Sequence, residues 1–332
     1  VATIKDVSRL ANVSISTVSR VINNTAQVAP EKREAVLAAM KELNFRPNSF
    51  AQALVSKRSN CIGVLVGDLC GGPFFAQMMR GMERVIDRAN KFTIVMSGNH
   101  AEARERHAIQ ALLQRQCDAL ILHSMALPDA ELIELARGDT PIIFINRLVP
   151  GLESQCVWFD NRGGGSTACQ LLIDKGHRNI AFVTSDDDAF VDGRQRMQGY
   201  RDALERGGIT YDETLVGRAY ADEQGGYVAM GELLARGVTF SAVLGFNDAM
   251  VAGAISCLLE HGIQIPGQVS VVGFDDIPYA RYTYPKLTTV RYPIEQMGER
   301  AAELALALLD GRDCEQWVRK FAPELVIRES VS

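Results

Sequence analysis

Polar forks and aromatic rings recur just past the apolar runs of this sequence. Phe74 and Phe75 follow CIGVLVGD, Asn99 and His100 follow FTIVMSG, and Asn146 and Arg147 follow PIIFI. Asp160 follows CVWF, Asn247 follows SAVLGF, and Asp275 closes VSVVGFD. Carboxylates, carboxamides and guanidinium groups engage vicinal hydroxyls in bidentate fashion, while an aromatic face covers the apolar side of a pyranose ring. The set therefore suits a sugar that is bound rather than transformed. Each residue also has a plainer use. An Asn or Asp after a strand commonly caps the next helix, which fits Asn247 and Asp160 as well as ligand contact does. His100 fits a structural hydrogen bond, and Phe74 and Trp158 fit a core.

Catalytic and metal chemistry finds little support. The five histidines form no H-E-x-x-H, and neither G-x-S-x-G nor a phosphate-binding P-loop occurs. One segment, GGGSTA at 163–168, matches G-x-G-x-x-A, with Asp186 a further 18 residues on, as an NAD-dependent oxidoreductase would require. However, Asp160, Asn161 and Arg162 separate the apolar run from the first glycine, which spoils the tight turn. The sequence calls for no cofactor and no metal.

The strand-end residues can converge only if the runs lie parallel. From Cys61 onward, β-type runs (CIGVLVGD, FTIVMSG, ALILHS, PIIFIN) alternate with amphipathic helical segments, and a second series follows through NIAFVTS, TLVGRA, SAVLGF and VSVVGFD. Such alternation predicts βαβ units, hence two successive parallel-sheet lobes with ligands at the carboxyl ends of the strands.

Residues 13–24, VSISTVSRVINN, pose a different problem. As a helix from Ser14, they place Val18, Val21 and Ile22 on one face and Ser16, Arg20 and Asn23 opposite, with Thr17 and Ser19 on the flanks. Upstream, Thr3 and Asp6 have capping-box-like spacing ahead of a first helix, and Asn12 suits a left-handed turn between the two. A small helical hairpin and a helix-turn-helix that presents this face to a DNA major groove both fit. Charge separates them: residues 1–60 hold nine Lys or Arg against four Asp or Glu, whereas the remainder holds 26 against 36. A basic head on an acidic body points to nucleic acid.

The 332 residues, 47% hydrophobic and 23% charged, suffice for two or three domains. The apolar runs are too short to span a bilayer, and no signal peptide opens the sequence, so a cytoplasmic protein without membrane contact is expected. Seven scattered cysteines without CxxC fit reduced, buried thiols. A third helix is expected over APEKREAVLAAMKELNF; the segment after it is too short to be a stable helix alone.

TIKDVSRLANVSISTVSRVIN, RPN before a segment containing AQAL, ND at 247–248, VSVVGFDD at 269–276 and YPKLTTVRYP at 284–293 together resemble the lactose-repressor family of bacterial transcription regulators. HAEARERHAIQALLQRQCDALILHS and LTTVRYPIEQM are most similar to its galactose repressor and isorepressor branch. The resemblance implies a small all-α helix-turn-helix head on an α/β core of two parallel-sheet lobes, like that of periplasmic binding proteins. It also implies a homodimer, a palindromic double-stranded operator, nucleoid association when bound to it, and a sugar effector.

The implied domains are a head at 1–46, a hinge at 47–60, a first subdomain at 61–161 with 292–318, and a second at 162–291 with 319–332. Ile15, Ser16 and Arg20 fall where the family reads bases, Thr17 and Ser19 where it grips phosphates; Thr3 and Asn23 complete the expected DNA-binding set. Leu54 matches a hinge leucine that wedges into the minor groove. Phe75, Asn146, Asp160, Arg196, Asn247 and Asp275 match effector positions, and Phe74 and Asn99 join them from the strand-end pattern. Asn12 stands where Gly is common and Ala29 where a capping Ser is common. A sugar-binding transport protein would explain the lobes but not the basic head. The chain ends without the apolar heptads of a coiled-coil tetramer tail, so a dimer is expected.

Overall fold

The computed structural model describes residues 2–23, 27–46, 58–70, 72–187 and 190–332. Leu54 and most of the expected hinge lie outside the described residues. The chain divides into two compact units, Val1–Cys61 with Gln116–Asp118, and Ile62–Arg115 with Ala119–Ser332.

Among the described residues the first unit holds three helices, α1 (Ile4–Leu10), α2 (Ile15–Asn23) and α3 (Pro30–Glu42). Thr3 and Asp6 form the capping box: the Thr3 hydroxyl accepts the Asp6 amide, and the Asp6 carboxylate accepts the Thr3 amide at 2.9 Å. These bonds hold the Asp6 carboxyl below its usual range. Asn12 adopts φ 52° at the junction, and Ser14 Oγ accepts the Thr17 amide at 3.1 Å to start α2. Ala29 supplies no side-chain cap to α3, which instead begins on Pro30. Val7, Val18, Val21, Val36 and Ala39 form the core, with Ile22 packed beside it. Helical periodicity thus identified the buried face of α2.

The second unit contains two six-stranded sheets. The first has the order β11-β5-β4-β3-β1-β2, from β1 (Cys61–Val66), β2 (Phe92–Ser97), β3 (Ala119–Leu122), β4 (Ile142–Ile145), β5 (Cys156–Phe159) and β11 (Lys320–Phe321). The second has the order β12-β10-β9-β8-β6-β7, from β6 (Ile180–Ser185), β7 (Val216–Ala219), β8 (Ala242–Gly245), β9 (Ser270–Asp275), β10 (Thr288–Arg291) and β12 (Glu324–Val326). The inner strands β3, β4, β6, β8 and β9 are buried along their whole length because helices cover both faces, whereas β2, β7, β11 and β12 are partly exposed. β12 runs antiparallel to β10 at the sheet edge. The helices are α4 (Pro73–Arg88), α5 (Glu102–Gln114), α6 (Asp129–Ala136), α7 (Asn161–Asp174), α8 (Val191–Arg206), α9 (Glu223–Ala235), α10 (Asp248–Glu260), the short α11 (Tyr279–Tyr282) and α12 (Ile294–Leu309).

The chain crosses between lobes after β5, after β10 and before β12. Lys320 and Phe321 pair with Trp158 and Phe159 of the first sheet, so the last crossing follows Phe321 rather than Val318, where the sequence placed it. No described helix is long and apolar enough to cross a membrane.

The glycines of GGGSTA have a packing role. They lie inside α7, where a Cβ on Gly165 would come within 2.3 Å of the Arg196 carbonyl oxygen; across the contact, one on Gly199 would meet the Arg162 carbonyl oxygen at 2.0 Å. They let α7 and α8 touch backbone to backbone, and that contact sets the depth at which Arg196 enters the core.

Candidate functional site

On α2, Ser16, Arg20 and Asn23 are exposed, Thr17 and Ser19 are half-buried, and Ile15 is 45% exposed. Much of the hydroxyl face is satisfied internally. Ser14 Oγ lies 2.8 Å from both Ser16 Oγ and Thr17 Oγ1, and Asn23 Nδ2 donates to Ser19 Oγ at 3.2 Å. Arg20 makes no ion pair or hydrogen bond among the described residues. Thr3, at the head of α1, spends its hydroxyl on the cap, donating to Asp6 at 2.7 Å.

Between the carboxyl ends of the two sheets lies a cavity of about 400 Å³. The first lobe contributes Phe74 and Phe75 from the start of α4, together with His100, His123 and Asn146. The second contributes Asp192 and Arg196 of α8, flanked by Phe190, Phe246, Asn247 and Asp275. Asp68, Asp222, Glu223 and the 61% exposed Tyr220 also line the cavity.

Arg196 is only 3% exposed. Its Nε donates to Asn161 Oδ1 at 2.9 Å and one terminal nitrogen donates to the Phe246 carbonyl at 2.5 Å. The guanidinium lies 3.8 Å from the Phe274 ring centroid and 4.7 Å from that of Phe246, close enough for cation–π attraction. Asp275 Oδ1 stands 3.6 Å from Nη1, and Asp192 Oδ2 stands 3.8 Å from Nη2. Asp275 closes β9 at φ 112°, a strained backbone of the kind that concentrates at binding sites. Burial pushes its carboxyl up to about 7 against the opposing pull of Arg196, and its buried Oδ1 lacks a hydrogen-bond donor among the described residues. A ligand hydroxyl would supply that donor.

Across the cavity, Asn146, at φ 64° after β4, is held by neutral groups. Tyr292 donates its hydroxyl to Asn146 Oδ1, and Asn146 Nδ2 lies 3.2 Å from His123 Nε2. An amide nitrogen only donates, so His123 Nε2 accepts and the ring proton sits on Nδ1. Burial pushes the His123 ring down to about 3, keeping it neutral, and also lowers His100. The buried Nδ1 atoms of both rings lack partners among the described residues.

Six of the expected effector residues, Phe74, Phe75, Asn146, Arg196, Asn247 and Asp275, therefore line one cavity. Asn247 does double service. Its Oδ1 caps α10 through the Met250 amide at 2.7 Å, and its Nδ2 donates to the Ala221 carbonyl at 3.2 Å. Asn99 and Asp160, also expected among the effector residues, do not line this cavity. Asn99 takes the left-handed turn at φ 47° and accepts the Ser97 hydroxyl at 2.5 Å, out in solvent. Asp160 caps α7 through the Gly163 amide at 2.9 Å and pairs with Lys320 at 3.1 Å. Arg147 is likewise withdrawn, held by the Ser124 carbonyl and by Asp129 at 2.7 Å. His123 and Asp192 escaped the sequence reading. His123 directly follows β3 and obeys the strand-end rule, whereas Asp192 carries no sequence signal beyond its place one helical turn before Arg196.

Residues 3–48 match the lacI family of bacterial regulatory proteins, and residues 169–331 match the periplasmic binding protein-like domain. The chain is 44% identical over 331 residues to the HTH-type transcriptional regulator GalR of Escherichia coli, covering 100% of this chain and 96% of that protein. Among solved structures, the lac repressor dimer bound to operator and the anti-inducer ONPF superposes with a TM-score of 0.85 at 27% identity, covering 100% of this chain and 99% of that one. The CelR–cellobiose complex gives a TM-score of 0.73 at 32% identity, covering 99% and 100%.

Proposed function

The chain belongs to the lacI family of bacterial regulatory proteins, and from that premise we propose that it is a sugar-responsive repressor of a carbohydrate-utilisation operon. It binds a palindromic double-stranded operator as a homodimer in the cytoplasm, associating with the nucleoid, and is released by galactose, a related hexose or a β-glucoside. Its role is regulatory rather than enzymatic. α2 supplies the DNA-reading face through Ile15, Ser16, Thr17, Ser19, Arg20 and Asn23, with Thr3 beside it.

The observation that carries the effector half is the buried Arg196 between Asp192 and Asp275, on a cavity wall opposite aromatic rings. A guanidinium between two carboxylates offers donors and acceptors side by side, which suits adjacent sugar hydroxyls. Effector binding draws the two lobes together, shifts their positions across the dimer axis and disengages the hinge segments at 47–60, including Leu54, so operator affinity falls. Linkage then requires operator to weaken effector binding by the same factor.

A thermal-shift screen of free hexoses and β-glucosides on the full chain, followed by anisotropy of a labelled operator with each hit, tests the proposal. A sugar that raises Tm and lowers operator affinity is expected. A hit that stabilises the protein yet leaves operator binding unchanged would refute the coupling.

A further inference from the structure

We propose that Asn161 and Tyr292 are positioning residues of the effector cavity: they relay one hydrogen-bond direction from Arg196 in the second lobe to His123 in the first, and so make the first-lobe wall a hydrogen-bond donor. The inference rests on the reading of this cavity as the effector site and adds what its first wall demands of the ligand.

The direction is set at Arg196, because a guanidinium only donates. Its Nε bond at 2.9 Å turns the Asn161 amide so that Oδ1 faces Arg196. The Asn161 Nδ2 falls on the other side, where it donates to the Phe159 carbonyl at 3.5 Å and to the Tyr292 hydroxyl. That hydroxyl oxygen accepts, so its single proton goes on to Asn146 Oδ1. Asn146 then presents Nδ2 to His123 Nε2 at 3.2 Å, and the His123 ring proton is left on Nδ1. Each link leaves the next only one orientation.

Burial enforces that orientation. Arg196, Asn161, Tyr292, Asn146 and His123 are each at most 5% exposed, so a reversed amide would strand polar atoms away from water. The two middle members sit where the chain passes between lobes, Asn161 at the start of α7 and Tyr292 directly after β10, with the Tyr292 ring stacked 4.1 Å from that of Phe159. Neither lines the cavity. Their influence reaches a ligand through what the relay leaves over, the second Nδ2 hydrogen of Asn146 and the Nδ1 hydrogen of His123, both without an acceptor among the described residues. Asp275 across the cavity offers an acceptor instead, so the two walls ask opposite roles of the ligand's hydroxyls.

Nitrogen NMR of the full-length chain with isotopically labelled histidine reads the outcome, because the protonated and bare nitrogens of a neutral imidazole resonate far apart; His123→Gln assigns the signal. At neutral pH and without ligand, His123 should carry its proton on Nδ1. Asn161→Asp should reverse the relay. A carboxylate paired with Arg196 offers Tyr292 only an acceptor, so Tyr292 turns its proton back, Asn146 turns to donate to the Tyr292 oxygen, and the His123 proton should move to Nε2. Tyr292→Phe, which keeps the ring on Phe159, should leave the two tautomers mixed. In titration calorimetry with galactose and methyl β-glucoside, both variants should bind whichever sugar the parent binds about tenfold more weakly, the scale of one misplaced hydrogen bond, with operator affinity unchanged when sugar is absent. A parent His123 protonated on Nε2, or a His123 that keeps the parent tautomer in either folded variant, overturns the relay, and unchanged sugar affinity overturns the donor wall. If neither sugar binds the parent, the effector reading falls and the donor wall with it, whereas the tautomers still decide the relay.

Discussion

The two walls of the cavity are built on opposite electrostatic plans. The first lobe presents rings and neutral groups, Phe74, Phe75, His100, His123 and Asn146, whose polar atoms are partly satisfied by Tyr292. The second presents buried charge, with Arg196 between Asp192 and Asp275 and further carboxylates at Asp222 and Glu223, while Asp68, after β1, is the one carboxylate that the first lobe adds to the lining. A neutral, ring-rich wall packs against a sugar ring at a smaller desolvation cost than a charged wall, which must exchange its water for ligand hydroxyls. On the proposed reading, the first lobe would orient the sugar and the second would recognise its hydroxyls.

The contrast breaks most completely at Arg196. Arg196→Ala leaves Asp192 and Asp275 facing each other without the intervening cation, and it empties a site that Phe246 and Phe274 enclose. Removing one partner from a buried ion pair costs about 3 to 5 kcal/mol, so chemical denaturation of the core should shift by that amount and calorimetry should detect no sugar binding. Arg196→Lys should not rescue binding, because an ammonium cannot serve Asn161, the Phe246 carbonyl and a ligand in one plane.

Ligand charge sharpens the same comparison. With five carboxylates and one guanidinium on its wall, the cavity should reject sugar phosphates and uronic acids by at least about a hundredfold relative to the parent sugar, since juxtaposed like charges cost several kcal/mol. Comparable affinity for a hexose and its phosphate in titration calorimetry would mean that the acidic groups are screened and that the second wall does not set specificity. Asp275→Asn is a smaller perturbation. It keeps the shape but weakens one charge-assisted bond, so effector affinity should fall by about 2 kcal/mol while operator binding stays unchanged.

Much of this arrangement was legible in the sequence, and the failures have a common cause. The strands and helices were visible because periodicity is local, and α2's buried face followed from the positions of Val18 and Val21. The strand-end rule reached Asn146 and Asp275 because it fixes where the chain leaves a sheet. It does not fix where a side chain then points: Asn99 and Asp160 leave at equivalent places and turn to a loop and a helix amide. Arg196 entered through family resemblance alone, since its partners Asn161 and Phe246 lie 35 and 50 residues away, and the Tyr292 to Asn146 bond spans 146. No local pattern records such pairings. The cis bond at Tyr284-Pro285, inside a segment quoted for its family likeness, was equally invisible.

The smallest expected effect is a dependence on pH, and it belongs to one wall only. Ionised, Asp275 accepts a sugar hydroxyl more strongly than the neutral acid does, and burial pushes its carboxyl up to about 7. Effector affinity should therefore rise about tenfold between pH 6 and pH 8 and level off above, as the ionised fraction approaches unity. His123 cannot produce this profile, because its ring is pushed down to about 3 and stays neutral across the range. Stability must move the other way. The folded-state value lies above the ordinary 3.8, so the contribution of Asp275 to stability is fully present below that value and is lost as pH rises through about 7. Asp275→Asn should consequently flatten the affinity profile and, at pH 8, raise the Tm of the ligand-free protein above that of the parent. A mutant that keeps the parent's pH dependence would mean that Asp275 does not set the profile, and the assignment of hydroxyl recognition to its carboxylate would fall.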